Sequence, residues 1–508
     1  MGNYNRIINL ISPTYQERSR VIKTRDSLVD SIDSSFQRDE RYSHTTVIGS
    51  AATGNFLRGY RDIDALLLFH QYDLESFREG VRKIKGLEEI EFAGKKLTVE
   101  DKVNASYNHF DVSLGVVSLS NTPENSLGLD MEKHPSFTAD RIKEAQKEDV
   151  LLTKQFFKNI GLYGEKLGGF TIEQMVAYFG KFEEILKNLR DRTRIYVDYS
   201  EQFNGASTPM VVTYPFCGLD NLAKRVTEDD LEKSREYAQT VLSNPELFLE
   251  DTRRVMNRDF WNKRAVKYKH SEEFGFPDIH LNHRENRILR QRIGPYGKKR
   301  VLDVGCANGY STIAISRPGD NYVFGIDANN KAIEMANRLK GERGLEDINF
   351  EVGEMTAVPL SNNSFDIVYA KRALSNLPSR REQKKAIEEL SRLTKPGGKV
   401  YVFDLFMEGY ERLNNLRSLF GLEPIESPFH CIPLTEDFIK MASENGLRII
   451  GEEDPTSSYY CMSRVIYPRI LKPFGRQVHA DSIPNWLFSR FPSIGNIGAN
   501  KLYTFRKK

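Results

Sequence analysis

Apolar and polar positions follow different patterns in the two halves of this chain. Between residues 44 and 117, three short apolar runs, HTTVIGS, DIDALLLF and FDVSLGVV, predict the strands of a small mixed sheet. From Asp140 to about Lys187 the apolar positions recur at helical spacing, and residues 1–42 show a similar but more charged pattern. The first half is therefore predicted to be a mixed sheet with helices before and after it.

The second half, from Val301 onward, alternates apolar strands with amphipathic helices. This order is typical of a parallel α/β sheet. Residues 263–300, which precede it, are strongly basic. They are interpreted either as an interdomain linker with a solvated helix or as a surface that contacts phosphates.

The composition is that of an ordinary globular protein of 508 residues, with 39% hydrophobic residues, 28% charged residues and a net charge of +3. This length predicts about three domains. No run of about 18 apolar residues and no apolar signal core occurs, so no membrane contact is expected and the cytoplasm is the predicted compartment. The cysteines have no CxxC spacing, which argues against a zinc site or a disulfide scaffold. They are Cys217, Cys306, Cys431 and Cys461.

A glycine-serine turn and three spaced acids form the first candidate site. Asp62 and Asp64 are two residues apart on one predicted strand and project from the same face, and Asp111 lies on a later strand. Three carboxylates suit two Mg²⁺ ions, which activate an attacking hydroxyl and neutralise a leaving pyrophosphate. The turn Gly49-Ser50 offers N–H groups and a hydroxyl to phosphates. The DID triplet alone would indicate an exposed strand edge, but the ordered combination favours a metal site.

The region from about residue 8 to 260 resembles the class I, archaeal-type CCA-adding enzymes of the polymerase-β-like nucleotidyltransferase superfamily. The resemblance lies in Ser12-Pro13 with Glu17 and in the strings GSAATGNFLRGYRDIDALLLF, FDVSLG, KHPSFTADRI, DVLLTKQFFKNIGLYG and GGFTIEQMVAYFGKFEEIL. It implies that the three acids, Asp62, Asp64 and Asp111, are catalytic and bind the metals. It also implies a set of nucleotide-binding residues, which are Gly49, Ser50, Arg58, His134, Lys154 and Tyr163.

Three of these residues also have structural interpretations. His134 is either a nucleotide contact or a helix-entry residue before a proline. Lys154 is either a nucleotide contact or a solvated helix position, and Tyr163 is either a nucleotide contact or a core residue. The resemblance favours the nucleotide contact in each case.

Two features depart from the family pattern. The segment that usually reads D-P-x-D-P-x-R-N is YPFCGLDN in this chain, residues 214–221, with Asp220 in place of the arginine that helps to read the base. The family's body and tail domains, which grip the tRNA elbow, are replaced after about residue 265 by a different domain. The choice between CTP and ATP and the recognition of a full-length tRNA therefore stay open.

A glycine-rich turn after an apolar strand begins the second candidate site. VLDVGCANGYS, residues 301–311, has Gly-x-x-x-Gly spacing rather than that of dinucleotide folds, and its glycines let the backbone approach a ligand closely. A second strand, NYVFGIDAN, ends in an acid placed to accept hydrogen bonds from ribose hydroxyls. Residues 275–508 resemble class I S-adenosylmethionine-dependent methyltransferases in the order and spacing of these elements. The resemblance implies cofactor contacts at Asp303, Gly305, Gly309, Asp327, Glu354 and Met355.

The methyl acceptor is harder to predict, because methyl transfer depends mainly on alignment of the reactants. The chain has neither an N-P-P-Y string nor a glutamate–histidine metal cluster. His430 is interpreted either as a structural histidine or as a general base for a hydroxyl. Residues 457–470, SSYYCMSRVIYPRI, resemble the late strand of methyltransferases that act on small molecules or sugars. This resemblance favours an O-methyl acceptor.

The sequence thus predicts an α/β and α+β multidomain protein with four segments. They are a polymerase-β-like nucleotidyltransferase palm (1–118), a helical nucleotide- and acceptor-binding domain (119–262), a basic linker and helix (263–298) and a Rossmann-like methyltransferase domain (299–508). The predicted enzyme adds AMP or CMP, from ATP or CTP and with Mg²⁺, to an acceptor hydroxyl at an RNA or tRNA-like 3′ end. It also methylates an acceptor with S-adenosylmethionine. A small-molecule or glycan acceptor, and a non-catalytic RNA-binding scaffold, are the alternatives.

Overall fold

The chain divides into two compact units, Met1–Thr252 and Arg253–Lys508. The four-segment division stays a prediction. None of the described helices is both long and apolar enough to cross a bilayer. The computed structural model describes residues 4–59, 62–71, 73–92, 101–119, 133–198, 208–213, 215, 221–268, 271–275, 278–294, 297–428, 430–474 and 482–508.

The first unit is built on a five-stranded sheet of order β1-β2-β5-β4-β3. Strands β2 and β5 are parallel, and the other neighbouring pairs are antiparallel. Strand β2, which is paired on both sides, is buried at every position after its first three residues, as expected for a strand covered on both faces. The strands are β1 (Tyr42–Ile48), β2 (Asp62–Phe69), β3 (Leu87–Phe92), β4 (Asp101–Tyr107) and β5 (Phe110–Ser118).

The long helix that begins at Tyr15 covers this sheet. It starts with a capping box, in which Thr14 accepts from the backbone of Glu17 and Glu17 accepts from the backbone of Thr14. Its residues Leu28, Ile32 and Phe36 recur every four positions and are buried in the core of the sheet. The helices around the sheet are α1 (Asn5–Ile11), α2 (Tyr15–Phe36), α3 (Gly49–Thr53) and α4 (Leu74–Lys83).

A helical part completes the first unit. Its helices pack through buried aromatic rings, of which Phe156, Phe182 and Phe248 contact one another. A short parallel pair of strands, β6 (Ile195–Val197) and β7 (Met210–Val212), lies between them in the chain. The helices are α5 (His134–Arg141), a 3₁₀ turn (Glu144–Gln146), α6 (Lys147–Asn159), α7 (Gly169–Phe179), α8 (Phe182–Asp191) and α9 (Glu228–Ser243), followed by α10 (Pro245–Tyr268), within which the two units divide.

The second unit contains a seven-stranded sheet of order β10-β9-β8-β11-β12-β14-β13. The first five are parallel, and β14 is antiparallel to both of its neighbours. The chain order reverses between β8 and β11, and such a switch point leaves a crevice at the carboxyl ends of the strands. The strands are β8 (Arg300–Val304), β9 (Tyr322–Asp327), β10 (Ile348–Val352), β11 (Phe365–Lys371), β12 (Thr394–Leu405), β13 (Leu447–Glu453) and β14 (Asn500–Lys507).

Helices of the second unit lie in the connections of this sheet. Cys306 is buried, Cys431 and Cys461 are half-buried free thiols, and Cys217 lies outside the described residues. The helical elements are a 3₁₀ turn (Glu272–Phe274), α11 (Ile279–Ile293), α12 (Tyr310–Ser316), α13 (Asn330–Glu342), a 3₁₀ turn (Leu374–Asn376), α14 (Arg380–Leu393), α15 (Met407–Leu419), α16 (Asp437–Glu444), α17 (Ser457–Cys461), a π-helical turn (Met462–Ile466), α18 (Tyr467–Leu471), a 3₁₀ turn (Lys472–Phe474) and α19 (Ile483–Phe488).

Two local interpretations of the sequence are corrected by the structure. The helix inside the basic run, α11, is solvated on one side only: Arg287 and Arg290 are exposed, whereas Arg284 is buried and donates to the carbonyl of Pro455. Residues 457–470 do not form a late strand but are helical. A short apolar run does not distinguish a strand from a buried helix.

Candidate functional site

The strand register brings the three predicted acids of the first unit together. Asp62 of β2 lies directly opposite Asp111 of β5, and Asp64 follows on the same face as Asp62. Asp62 and Asp111 are exposed, whereas Asp64 is half-buried. Strand β1 ends opposite Asp64, so Gly49 is placed against this acid, and a Cβ atom on Gly49 would lie 3.2 Å from Asp64 Oδ2.

The surroundings of Asp64 raise the pKa of its carboxylate. Burial, and secondly the charge of Asp62, raise its pKa to about 6, while Lys102 opposes this shift. Oxygen donors of this kind fit a hard divalent cation. Among the described residues, no three His, Cys, Asp or Glu side chains are already assembled as a metal cluster. The fit therefore rests on adjacent backbone positions and on the chemistry of the donors.

Lys154 is fully buried behind the Gly49-Ser50 turn. Its Nζ donates to Ser50 Oγ at 3.0 Å, to the Asn55 carbonyl at 2.5 Å and to Glu173 Oε1 at 3.1 Å. Neither charge of the pair is exposed, since Lys154 is 0% and Glu173 3% accessible. The lysine therefore joins helix α6 to the turn through the Ser50 hydroxyl.

Glu173 is a functional candidate that the sequence analysis missed. Besides Lys154, it accepts hydrogen bonds from Thr53 Oγ1 at 3.3 Å, Asn55 Nδ2 at 3.4 Å and Thr138 Oγ1 at 3.0 Å. These donors tie α3 and α5 to α7, which carries Glu173. Its position in GGFTIEQMVAYF resembles that of any polar helix residue, so no local signal distinguishes it.

The remaining predicted nucleotide contacts are His134, Arg58 and Tyr163. His134 begins α5 and stacks on Phe170 at 3.7 Å with nearly parallel rings. Burial lowers the pKa of His134 to about 3, so the ring is neutral. Arg58 Nε lies 3.7 Å from Glu17 Oε2. Tyr163 is half-buried in the loop after α6.

The base-reading segment gives no structural outcome. Tyr214 and residues 216–220, which include Asp220, lie outside the described residues. Asn221 is described and buried, and its side chain donates to the carbonyl of Met210 at 2.9 Å.

A cavity of about 550 Å³ occupies the crevice of the second unit. This volume is within the usual range for a small-molecule or cofactor site. Five of the six predicted cofactor residues line it: Asp303, Gly305, Asp327, Glu354 and Met355.

The two glycines of the turn have different roles. Gly305 lines the cavity at φ +87°, and a Cβ there would lie 2.5 Å from Ala373 Cβ. Gly309, at φ +72°, is not among the described residues that line the cavity. A Cβ on Gly309 would lie 2.7 Å from the Phe350 ring. Its role in this structure is close packing of the turn rather than a cavity contact.

Two carboxylates, the buried Asp303 and the half-buried Asp327, hold the turn in place. Asp327 accepts from the backbone N–H of Ala307 and of Asn329, each at 2.9 Å, and burial raises its pKa. Asp303 accepts from Thr312 Oγ1 at 2.7 Å, and burial raises its pKa to about 6. Both acids are thus fixed at the ends of their strands, facing the cavity.

Lys371 and Arg372, at the end of β11, also line the cavity and were missed by the sequence analysis. Lys371 Nζ donates to Asn286 Oδ1 at 2.6 Å and to Asn282, and burial lowers its pKa to about 8. Arg372 donates to Glu285 Oε1 at 2.6 Å. The string YAKRAL, two cations directly after a buried strand, is the signal that could have identified them.

His430 has the surroundings of a structural residue. It stacks on Phe260 at 3.9 Å, and burial, with the charge of Arg264, lowers its pKa to about 4. It is not among the described residues that line the cavity. The geometry therefore supports the structural interpretation over the general base.

Comparisons with known proteins match both units. A family model for the second domain of tRNA nucleotidyltransferases matches residues 148–249. The chain is 25% identical over 275 residues to the CCA-adding enzyme of Methanosarcina mazei, covering 51% of this chain and 60% of that protein. It is 26% identical to the enzyme of Methanothermobacter thermautotrophicus, covering 48% and 57%. The chain thus spans somewhat over half the length of these relatives.

A family model for a methyltransferase domain matches residues 297–420. The chain is 27% identical over 176 residues to the O-methyltransferase rstn1 of Aspergillus nomiae, covering 34% of this chain and 74% of that protein. The solved structure of the Bacillus subtilis protein YcgJ aligns with a TM-score of 0.30 and 19% identity, covering 44% of this chain and 99% of that one. The predicted fold class is confirmed, and the chain combines a nucleotidyltransferase region similar to CCA-adding enzymes with a methyltransferase domain.

Proposed function

We propose that the first unit transfers AMP or CMP to a hydroxyl at an RNA 3′ end and that the second unit methylates an acceptor with S-adenosylmethionine. The proposal for the first unit rests on the pairing of Asp62 with Asp111 across parallel strands, beside an Asp64 whose pKa is raised. The carboxylates of Asp62 and Asp64 repel each other, and electrostatically unfavourable clusters of this kind are common at functional sites.

Asp62, Asp64 and Asp111 would hold Mg²⁺ in the first unit after rotation of their side chains. The ions supply charge neutralisation for the attacking hydroxyl and the leaving pyrophosphate. Ser50 and the backbone of the turn bind the triphosphate. Gly49 keeps this turn close to Asp64, because any larger residue would press on the carboxylate.

Lys154 is proposed to act as a positioning residue. All three hydrogen bonds of its Nζ go to protein oxygens, so its effect on the nucleotide is indirect. The bond to Ser50 Oγ orients that hydroxyl, and the positive charge of the lysine lies behind the turn that binds the triphosphate. His134, neutral and stacked on Phe170, presents a flat polar edge for a base or sugar.

The second unit is proposed to bind the cofactor along the cavity. Asp327 accepts from the ribose hydroxyls with the lone pairs that its two backbone donors leave free. Glu354 accepts from the adenine amine, and Met355 packs against the ring. The sulfonium supplies the reactive methyl group, and the chain contributes alignment of the acceptor.

An RNA acceptor is supported by the similarity to enzymes named as CCA-adding. A small-molecule acceptor is a second candidate, because a relative of the second unit is named as an O-methyltransferase of a fungus. Asp64 and Asp303 argue against a non-catalytic scaffold, because burial raises the pKa of both carboxylates and such burial costs stability.

Incubation of the full chain with labelled ATP or CTP and bulk RNA tests the proposal. We expect label in RNA with Mg²⁺, and none with a chelator or with Asp64→Asn. A parallel reaction with a small-molecule extract identifies the second candidate. Absence of metal-dependent label in both reactions would contradict a nucleotidyltransferase.

A further inference from the structure

Two arginines of α10, Arg254 and Arg258, line the cavity of the second unit. Arg254 and Arg258 are one helical turn apart and both are exposed. Neither guanidinium forms a hydrogen bond or ion pair with any residue that the structure describes. The other cations of the wall are engaged, as Arg372 is with Glu285.

The stretch of α10 that carries them is fixed in place over the cavity. Asn257 Nδ2 donates to the carbonyl of Asn376, and Arg253 donates to that of Pro378 at 3.5 Å. One and a half turns further on, Asn262 Oδ1 accepts from Asn329 Nδ2 at 3.0 Å, beside the predicted ribose acceptor. This stretch of the helix therefore runs from the segment after β11 to the segment after β9, which holds Asp327. Arg254 and Arg258 lie on the part nearer to the segment after β11.

Two acids of the cavity wall, Glu382 and Glu272, are engaged with other residues. Glu382 is buried and bonded to Lys385 at 3.2 Å. Glu272 Oε2 is paired with His283 Nε2 at 2.6 Å. Two guanidinium groups one turn apart on a helix can bind a single anion together, and the bidentate hydrogen bonding of arginine suits a phosphate.

We propose that Arg254 and Arg258 form a phosphate subsite for the methyl acceptor, which is therefore a phosphate ester such as the terminal segment of an RNA. This proposal deepens the proposed function and rests on its second half. It places the acceptor phosphate at the mouth of the cavity, with Trp261 of the same helix in the wall beside it.

Tryptophan fluorescence reports occupancy of this cavity alone. The chain has two tryptophans; Trp261 lines the cavity, and Trp486, 45% exposed, is replaced by Trp486→Phe. The full chain in that background, saturated with S-adenosylhomocysteine, is titrated with the trinucleotide CpCpA, with AMP, and with adenosine. We expect CpCpA to bind, adenosine to bind at least tenfold more weakly, and AMP to show whether a terminal phosphate suffices.

The variant Arg254→Ala/Arg258→Ala is expected to weaken CpCpA binding at least tenfold. The slope of log K against log salt should become shallower by about 0.7 for each phosphate that the variant no longer neutralises. The matched control is Lys263→Ala/Lys267→Ala, which removes the same charge from exposed positions of the same helix that do not line the cavity; its affinity should stay within about twofold.

Three results would overturn the subsite. They are equal CpCpA affinity in the arginine variant, equal weakening by the lysine control, and a weakening confined to S-adenosylhomocysteine, which would assign the arginines to the cofactor carboxylate. Failure of the proposed function looks different. In that case the wild-type chain binds no S-adenosylhomocysteine in the same titration, or incorporates no labelled nucleotide.

Discussion

Asp64, one of the three acids of the first site, has a raised pKa. Its carboxylate is held beside Asp62 in partial burial, and both effects raise its pKa to about 6. Since the pKa is higher in the folded chain than its ordinary value of about 3.9, folding loses stability as pH rises from about 4 to 6. The full cost is present at pH 7. A bound cation would remove that cost.

Replacement of this acid should stabilise the metal-free protein and inactivate it. At pH 7 in chelator, Asp64→Asn is expected to raise the unfolding free energy of the first unit by on the order of 2 kcal/mol, and the difference should vanish near pH 4. Mg²⁺ should stabilise only the wild type, and nucleotide transfer by the variant should be abolished. Calorimetry in the presence and absence of Mg²⁺ measures this. A wild type indifferent to Mg²⁺ would contradict the metal assignment.

Asp327 is the corresponding residue of the second site. Asp327→Ala removes a charged acceptor from two ribose hydroxyls, at roughly 1.5–3 kcal/mol each, and also frees the N–H groups of Ala307 and Asn329. Calorimetric titration of the full chain should show S-adenosylmethionine binding weakened at least tenfold. Asp320→Ala, an exposed acid in the turn before β9, is the control. An unchanged dissociation constant for Asp327→Ala would place the cofactor elsewhere.

At the scale of elements, the buried pair Lys154–Glu173 connects α6 and α7 to the turn that begins α3. A buried pair contributes little net stability, but removal of one partner leaves an uncompensated charge. We therefore attribute to the pair a role in positioning the Ser50 hydroxyl, to which Lys154 donates.

A double-mutant cycle separates stability from positioning. Lys154→Met should cost about 3–5 kcal/mol, and addition of Glu173→Gln should restore most of it, because glutamine still serves Thr53, Asn55 and Thr138. Denaturant unfolding measures the stability, and nucleotide incorporation should stay low in both variants. Recovery of incorporation by the double variant would show that Lys154 does not position the turn.

The sequence predicted elements well where burial is continuous. β2 coincides with the run DIDALLLF, and β8 and β9 follow the strings that indicated them. It missed β3, LEEIEF, whose polar positions reflect a sheet edge, and it mistook 457–470 for a strand.

The candidate site was predictable only in part. Acids and glycines with fixed spacing predicted two candidate centres; the structure places Asp62 opposite Asp111 and five of the six predicted cofactor residues around one cavity. Glu173 and the pair Arg254 and Arg258 gave no such signal, since their importance comes from what surrounds them in the folded chain, across long sequence separations.

At the scale of the whole molecule, the two sites belong to separate compact units, Met1–Thr252 and Arg253–Lys508. We therefore expect the two activities to be separable. Asp64→Asn should leave S-adenosylmethionine affinity within about twofold of the wild type, since mutations at sites that share no partners act independently. Asp327→Ala should likewise leave nucleotide incorporation intact. Loss of both functions in either variant, with both units folded by calorimetry, would contradict two independent sites.

If both proposed activities are present, covalent linkage in one chain would raise the effective concentration of the product of one unit for the other. We hypothesise that both units act on one acceptor, for which the arginine pair of α10 would hold a phosphate. The alternative is that fusion only matches the amounts of two unrelated activities.

The most direct test supplies the full chain with bulk RNA, labelled ATP or CTP, and S-adenosylmethionine that carries a second label in its methyl group. The products are resolved by size and each is counted for both labels. Our account predicts that both labels appear on the same RNA molecules and that Asp64→Asn and Asp327→Ala each remove one of them. Labels found always on different molecules, or on no RNA, would contradict it.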